Sequence, residues 1–186
     1  MDIEPMKYTR VEYERRFLVA PHADWRAFVE PYSKALTDTY LAQTRLRLRI
    51  IEDSDATRRA FKLTKKLESE SPYFQAVGSL YLASAEFQVL GMLGGDGLRK
   101  VRHYHRRGEH VFSIDEFQGE LAGLVLCEVE AADLDELMRI SPPEYADVEV
   151  TEDAFFTGGN LCRTSRAELQ RKLGATPGSA FRPPRV

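Results

Sequence analysis

Apolar and polar residues alternate with period two along most of this chain, the pattern of strands with two unlike faces. Residues 11–19 (VEYERRFLV) set Glu12, Glu14 and Arg16 on one face and Val11, Tyr13, Arg15 and Phe17 on the other. Residues 39–51 read as one long strand in which Arg45, Arg47 and Arg49 alternate with Leu46, Leu48 and Ile50. In 59–66 (RAFKLTKK) Lys62, Thr64 and Lys66 oppose Phe61 and Leu63. Further strands are predicted at 77–82, 98–104, 110–117, 123–131 and 147–150.

Helices are fewer. Residues 23–29 follow Pro21, and Ser84 is placed to cap a helix to about residue 93, where Gly94-Gly95 stops it. Residues 133–140 are amphipathic and end before Pro142-Pro143, and Ser165-x-x-Glu168 has capping-box spacing before AELQRKL. FTGGN (156–160) lacks the spacing of a phosphate-binding loop and reads as a turn. The expected organisation is one domain over 1–174, with 175–186 as a mobile tail.

Composition narrows the class. A chain of 186 residues is long enough for one domain with a real core. Its net charge of −3 lacks the basic excess expected of a protein that neutralises duplex phosphates, so no nucleic-acid partner is expected. No apolar run approaches the length of a membrane span, and the first residues lack an apolar signal region. Two cysteines, Cys127 and Cys162, make neither a disulfide scaffold nor a zinc site, which points to a reducing, cytoplasmic setting.

The charges are sorted by strand. Glu12 and Glu14 form one acidic pair and Glu128 and Glu130 another, while Arg45, Arg47 and Arg49, then Lys62 and Lys66, then Lys100 and Arg102 form basic sets. An ordinary wet sheet face would intersperse signs, because like neighbours on one face repel. A barrel turns one face of every strand toward a shared interior, so the pattern predicts a polar cavity with basic and acidic walls. Such a cavity suits a polyanion held together with a divalent cation. His103 and His105 alternate out of phase with Lys100 and Arg102 and should point away from the cavity, as should Cys127 beside Glu128.

The same residues resemble the CYTH superfamily, the triphosphate tunnel metalloenzymes. The family's E-x-E-x-K strand is matched by Glu12, Glu14 and Arg16; YLAQTRLRLRI, LTKK, LRKVRHY, SIDEFQGELAGLVLCEVE and VEVTEDAFFTGGNL follow in the family's order. The resemblance implies an α+β, mainly β fold: an eight-stranded antiparallel β-barrel forming a polar tunnel, with helices packed outside. It implies a triphosphatase using Mg²⁺ or Mn²⁺ on a small-molecule triphosphate or polyphosphate. Glu12, Glu14 and Arg16 then take the catalytic positions, and Arg45, Arg47, Arg49, Lys62, Lys66, Lys100 and Arg102 the substrate-gripping ones. Glu14, Asp115, Glu128 and Glu130 become the metal candidates, with Tyr40 and Tyr104 as further donors at the wall. A homodimer is compatible with the resemblance, though no exposed apolar stripe in the sequence demands one.

Two departures bear on activity. Arg16 stands where the family has Lys, and a guanidinium neither lends nor takes a proton. The middle-strand stretch QAVGSLYL offers Gln75 and Val77 where many short bacterial members carry an acid pair, and Glu86 fits a helix's first turn better. Two other functions therefore stay open: a non-catalytic polyphosphate-binding module, and a class IV-type adenylate cyclase.

Overall fold

A computed structural model describes residues 9–176. Its nine strands are β1 (Thr9–Val19), β2 (Ser33–Leu41), β3 (Leu46–Asp53), β4 (Arg59–Lys66), β5 (Phe74–Leu82), β6 (Gly95–Arg107), β7 (His110–Phe117), β8 (Val125–Ala131) and β9 (Ala146–Glu149). The helices are α1 (Ser84–Gly91), α2 (Leu134–Arg139), α3 (Gly158–Leu161) and α4 (Arg166–Ala175), with a 3-10 turn at Trp25–Phe28. All strand pairings are antiparallel. The order β5-β4-β3-β2-β6-β7-β8-β1, together with a β5–β1 pairing, closes eight of them into a barrel. β1 is long enough to divide one edge: its first half pairs with β5 and its end with β9, while β8 occupies the other edge. The expected tail from residue 177 onward lies outside the described residues, and α4 runs to Ala175.

The segment expected as one strand over 39–51 is a hairpin. Gln43 takes a positive φ of 58°, and the Thr44 hydroxyl donates to the Leu41 carbonyl while accepting from the Leu46 amide, which reverses the chain. The strand before the turn begins upstream, at Ser33, where the sequence signal was missed. The helix expected to be capped by Ser84 has Ala83 at its N-cap; Glu86 reaches back to the Ala83 amide at 2.7 Å. Ser165 and Glu168 form the expected capping box at α4.

Register assigns the inner face without ambiguity, since antiparallel partners share a side. Glu14 pairs with Glu130, Arg16 with Glu128, and Leu18 with Leu126. Asp38 pairs with Arg49, which in turn pairs with Lys62, and Arg102 pairs with Asp115. The opposite face of β1, β7 and β8 carries Phe17, Val19, Phe112, Ile114, Cys127 and Val129, buried under Trp25 and Leu137 of α2. His103 lies against Trp25 and His105 bonds the Tyr145 hydroxyl at 2.8 Å, both outside the barrel.

The C-terminal helices do not lie on the outer wall, as helices flanking a tunnel would. The inner-face residues Leu18, Leu98, Phe117 and Leu126 form one cluster with Val150, Phe156, Leu161, Leu169 and Leu173. α3 and α4 therefore stop one end of the barrel, and the FTGGN segment is part of this plug rather than a plain turn. The outer face of β3–β5 has thinner cover: Phe87 of α1 packs on Phe61, yet Leu80, Val89, Met92 and Leu93 stay exposed. Among the described residues no helix is long and apolar enough to cross a membrane.

Leu126 is 1% exposed within the plug cluster. Leu126→Ala should lower the unfolding free energy by about 2–5 kcal/mol, read from urea denaturation; a smaller loss would mean the plug is loosely packed.

Candidate functional site

The inner face carries its charges in two layers. In the first, buried carboxylates stand beneath the cations. Asp38 is 1% exposed and receives Arg49 through two hydrogen bonds of 2.6 and 2.7 Å, a bidentate fork. Asp115 is fully buried and accepts from both Nε and Nη2 of Arg102 at 2.6 Å, and from Lys100. Glu128 bridges Arg102 at 2.7 Å and Arg16 at 3.0 Å. Burial opposes ionisation of Asp38, but the hydrogen bonds from Arg49 and the charges of Arg49, Arg47 and Lys100 outweigh it and hold its pKa below the ordinary value. Burial likewise opposes Glu128, and Lys100, Arg102 and Arg16 drive its pKa well down.

The second layer has no such compensation. Arg47 keeps a buried Nε without a hydrogen-bond partner, and its approach to Asp38 is a distant 3.9 Å. Lys62 makes no salt bridge among the described residues; burial, then the charges of Arg47 and Arg49, push its pKa down. Lys66, on the same face of β4, also lacks one among the described residues. A half-buried lysine depressed by two neighbouring arginines, beside an arginine with an unbonded buried donor, is an anion site in physical terms.

Facing them is an acidic group on β1 and β8. Glu12 is paired with the exposed Arg10 at 2.7 Å, and Glu14 with Arg16. Glu130 has no salt bridge among the described residues; burial and the neighbouring charges of Glu12 and Glu14 raise its pKa.

Three expectations need correction. Arg45 belongs to the β2–β3 turn rather than a strand; it is half exposed and pairs with Glu68, away from the inner wall. Asp115 was a metal candidate, but both its oxygens are taken by Arg102 and Lys100, which makes it their counter-ion. Arg16 bonds Glu128 through Nε and Glu14 through Nη2, so its fork ties β1 to β8 and serves the protein. Glu12, Glu14, Arg47, Arg49, Lys62, Lys66, Lys100, Arg102, Glu128 and Glu130 do share the interior face. Asp38 is the residue that the sequence reading missed. Its signal is the Leu36, Asp38, Tyr40 alternation, legible once β2 is begun at Ser33.

No family model matches the chain. A curated relative from Nitrosomonas europaea, named inorganic triphosphatase, is 28% identical over 144 residues, covering 76% of this chain and 90% of the relative. A crystal structure of the protein NE1496, described as hypothetical, aligns with a TM-score of 0.55 and 26% identity over 83% of this chain and 99% of its own. A second, described as the inorganic triphosphatase NE1496, gives 0.54 and 25% over 82% and 95%. The fold and the sorted interior define a tunnel-type barrel. In sequence and fold the chain is similar to these relatives, in keeping with the resemblance of its motifs to the CYTH, or triphosphate tunnel, proteins.

Asp38→Asn should remove the counter-charge under Arg49 and cost about 3–5 kcal/mol at neutral pH, measured by chemical denaturation. Because the folded pKa of Asp38 is lowered, its contribution is fully present above the unfolded value near about 4 and is lost as pH falls through the folded value. The stability gap between the Asp38→Asn variant and the unsubstituted protein should therefore narrow below about pH 4; a pH-independent gap would sink this assignment.

Proposed function

We propose that this protein hydrolyses a phosphoanhydride bond of inorganic triphosphate or of a small organic triphosphate, with Mg²⁺ or Mn²⁺ as cofactor. The observation that carries the reading is the weakly compensated cation group of Arg47, Lys62 and Lys66, on the same interior face as Glu12, Glu14 and Glu130. The relative named inorganic triphosphatase supports the same chemistry. Arg47 and the two lysines grip phosphoryl oxygens, and Arg49, Lys100 and Arg102, held from beneath, add the field of the wall. Glu12 or Glu14 orients a water in line with the terminal phosphorus. The water oxygen bonds to that phosphorus and gives a proton to the carboxylate, the bridging P–O bond breaks, and pyrophosphate or the organic diphosphate leaves with the bonding electrons, releasing inorganic phosphate.

The donor set fits a hard divalent cation. Glu12, Glu14 and Glu130 offer only carboxylate oxygens, and their crowding, which raises the Glu130 pKa, is relieved by a bound positive charge. Among the described residues no three potential ligands are already gathered, so the phosphates would complete the site. When bound, such an ion neutralises charge on the phosphoryl oxygens. Asp115 and Glu128 fit poorly, because their oxygens already serve arginine and lysine.

A second reading is capture of polyphosphate without turnover. It is favoured by one observation: the residue at the third hallmark position, Arg16, is committed to Glu14 and Glu128.

Phosphate release from inorganic triphosphate, ATP and thiamine triphosphate, with Mg²⁺ or Mn²⁺ and an EDTA control, decides between them. Hydrolysis predicts metal-dependent release that Glu130→Gln lowers by at least about 100-fold in kcat. Arg47→Ala should raise KM by about 10–100-fold, the worth of one charge-assisted hydrogen bond. Calorimetric binding of triphosphate without release from any of the three would leave the binding module.

A further inference from the structure

Tyr40 occupies an unusual place for a residue expected to donate to substrate. It lies opposite Arg47 in register, on the inner face where the plug meets the charged layer. A Cβ at Gly158, the first residue of α3, would overlap the Tyr40 hydroxyl and stand 2.9 Å from its Cζ. On the other side, a Cβ at Gly95 would stand 2.7 Å from the Tyr40 carbonyl carbon and 3.0 Å from the Leu41 Cα. Two glycines thus let backbone close on this one tyrosine from both ends. Arg47 stands directly across the β2–β3 ladder from it, on the same face, and the Arg47 charge acts on its hydroxyl. Asp38 does not hold Arg47 by a hydrogen bond, since the Arg47 Nε stays 3.9 Å from it.

We propose that Tyr40 is a positioning residue: wedged between Gly158 of the C-terminal plug and the Arg47 side chain, it holds that guanidinium toward the interior anion site, so that triphosphate affinity depends on how closely the plug is seated. This rests on the reading of Arg47 as a phosphate donor. Glycine at 158 is then a requirement of the site and not only of the turn, since any side chain would push the tyrosine into the arginine. Tyr40 itself touches no phosphate, and its effect belongs in binding more than in the chemical step.

The test is calorimetric titration of the full chain with inorganic triphosphate, alongside phosphate-release kinetics and thermal melts. Gly158→Ala should weaken binding about tenfold, with kcat within about threefold. Tyr40→Phe should weaken it about two- to tenfold, the worth of one neutral hydrogen bond. The double variant should bind more tightly than Gly158→Ala alone, because Phe removes the worse of the two overlaps, leaving only the Cζ approach at 2.9 Å. In an Arg47→Lys background, Tyr40→Phe should have no further effect, which marks action through Arg47. If Gly158→Ala does not fold, that second cycle decides alone. A lower melting temperature with unchanged triphosphate affinity, or a Tyr40→Phe loss that persists in the Arg47→Lys background, overturns the proposal. Absence of triphosphate binding by the unsubstituted protein would overturn it together with the function proposed above.

Discussion

Cations crowded onto one enclosed surface repel, and this repulsion is the constraint that the rest of the molecule answers. Two unit charges 4 Å apart interact by about 4 kcal/mol at an effective dielectric constant of 20. A barrel closing over Arg16, Arg49, Lys100 and Arg102 would be forced open without counter-charge. Asp38, Asp115 and Glu128 supply it, each from a neighbouring strand, so that the ion pairs also stitch β2 to β3, β6 to β7, and β8 to both β1 and β6. Neutralisation is uneven in its placement. Arg47, Lys62 and Lys66 are left over, and a wall that is stable yet short of anions is what a phosphate ligand can complete.

The period-two sorting of signs made the inner face legible, because a pleated strand cannot hide which residues share a side. Glu12 with Glu14, Arg47 with Arg49, and Glu128 with Glu130 all fell where alternation put them. What alternation cannot give is the strand's end. Arg45 continues the RLRLR rhythm perfectly, yet Gln43 at positive φ and the Thr44 hydroxyl turn the chain just before it. Nor can it separate a carboxylate that serves a ligand from one that serves the wall. Asp115 and Glu130 look alike in sequence; one is fully buried under two cations, and the other stands beside Glu12 and Glu14 with no salt bridge among the described residues. The plug was illegible for a different reason: α3 is a single short turn, and its docking is decided by Leu18, Leu98, Phe117 and Leu126, all far upstream in the chain.

Arg16 shows how one substitution redistributes tasks. A lysine there would present a single ammonium, free to swing toward solvent or phosphate. The guanidinium fork reaches two carboxylates at once, Glu14 on its own strand and Glu128 across the ladder, and both interactions raise its already high pKa against the opposition of burial. The residue becomes a clip between β1 and β8. One consequence is electrostatic: Glu14 and Glu128 are partly neutralised, while Glu130, two residues along β8, is not. The acidity available to a cation or a water is thereby concentrated on Glu130 and Glu12.

The stopped end gives this arrangement a direction. With Leu18, Leu98, Phe117 and Leu126 buried against α3 and α4, charged ligands have no polar route through that end of the barrel. Desolvating a polyphosphate through an apolar layer would cost far more than its contacts return. Entry must then be from the side of Glu12, Glu130 and the start of β1. Acids and cations stand side by side there: Arg10 is paired with Glu12, and the Glu12 charge acts on Lys62. If the protein acts as proposed above, an interior that sets Glu12, Glu14 and Glu130 on the same face as Arg47 and Lys62 suits a polyphosphate accompanied by a divalent cation.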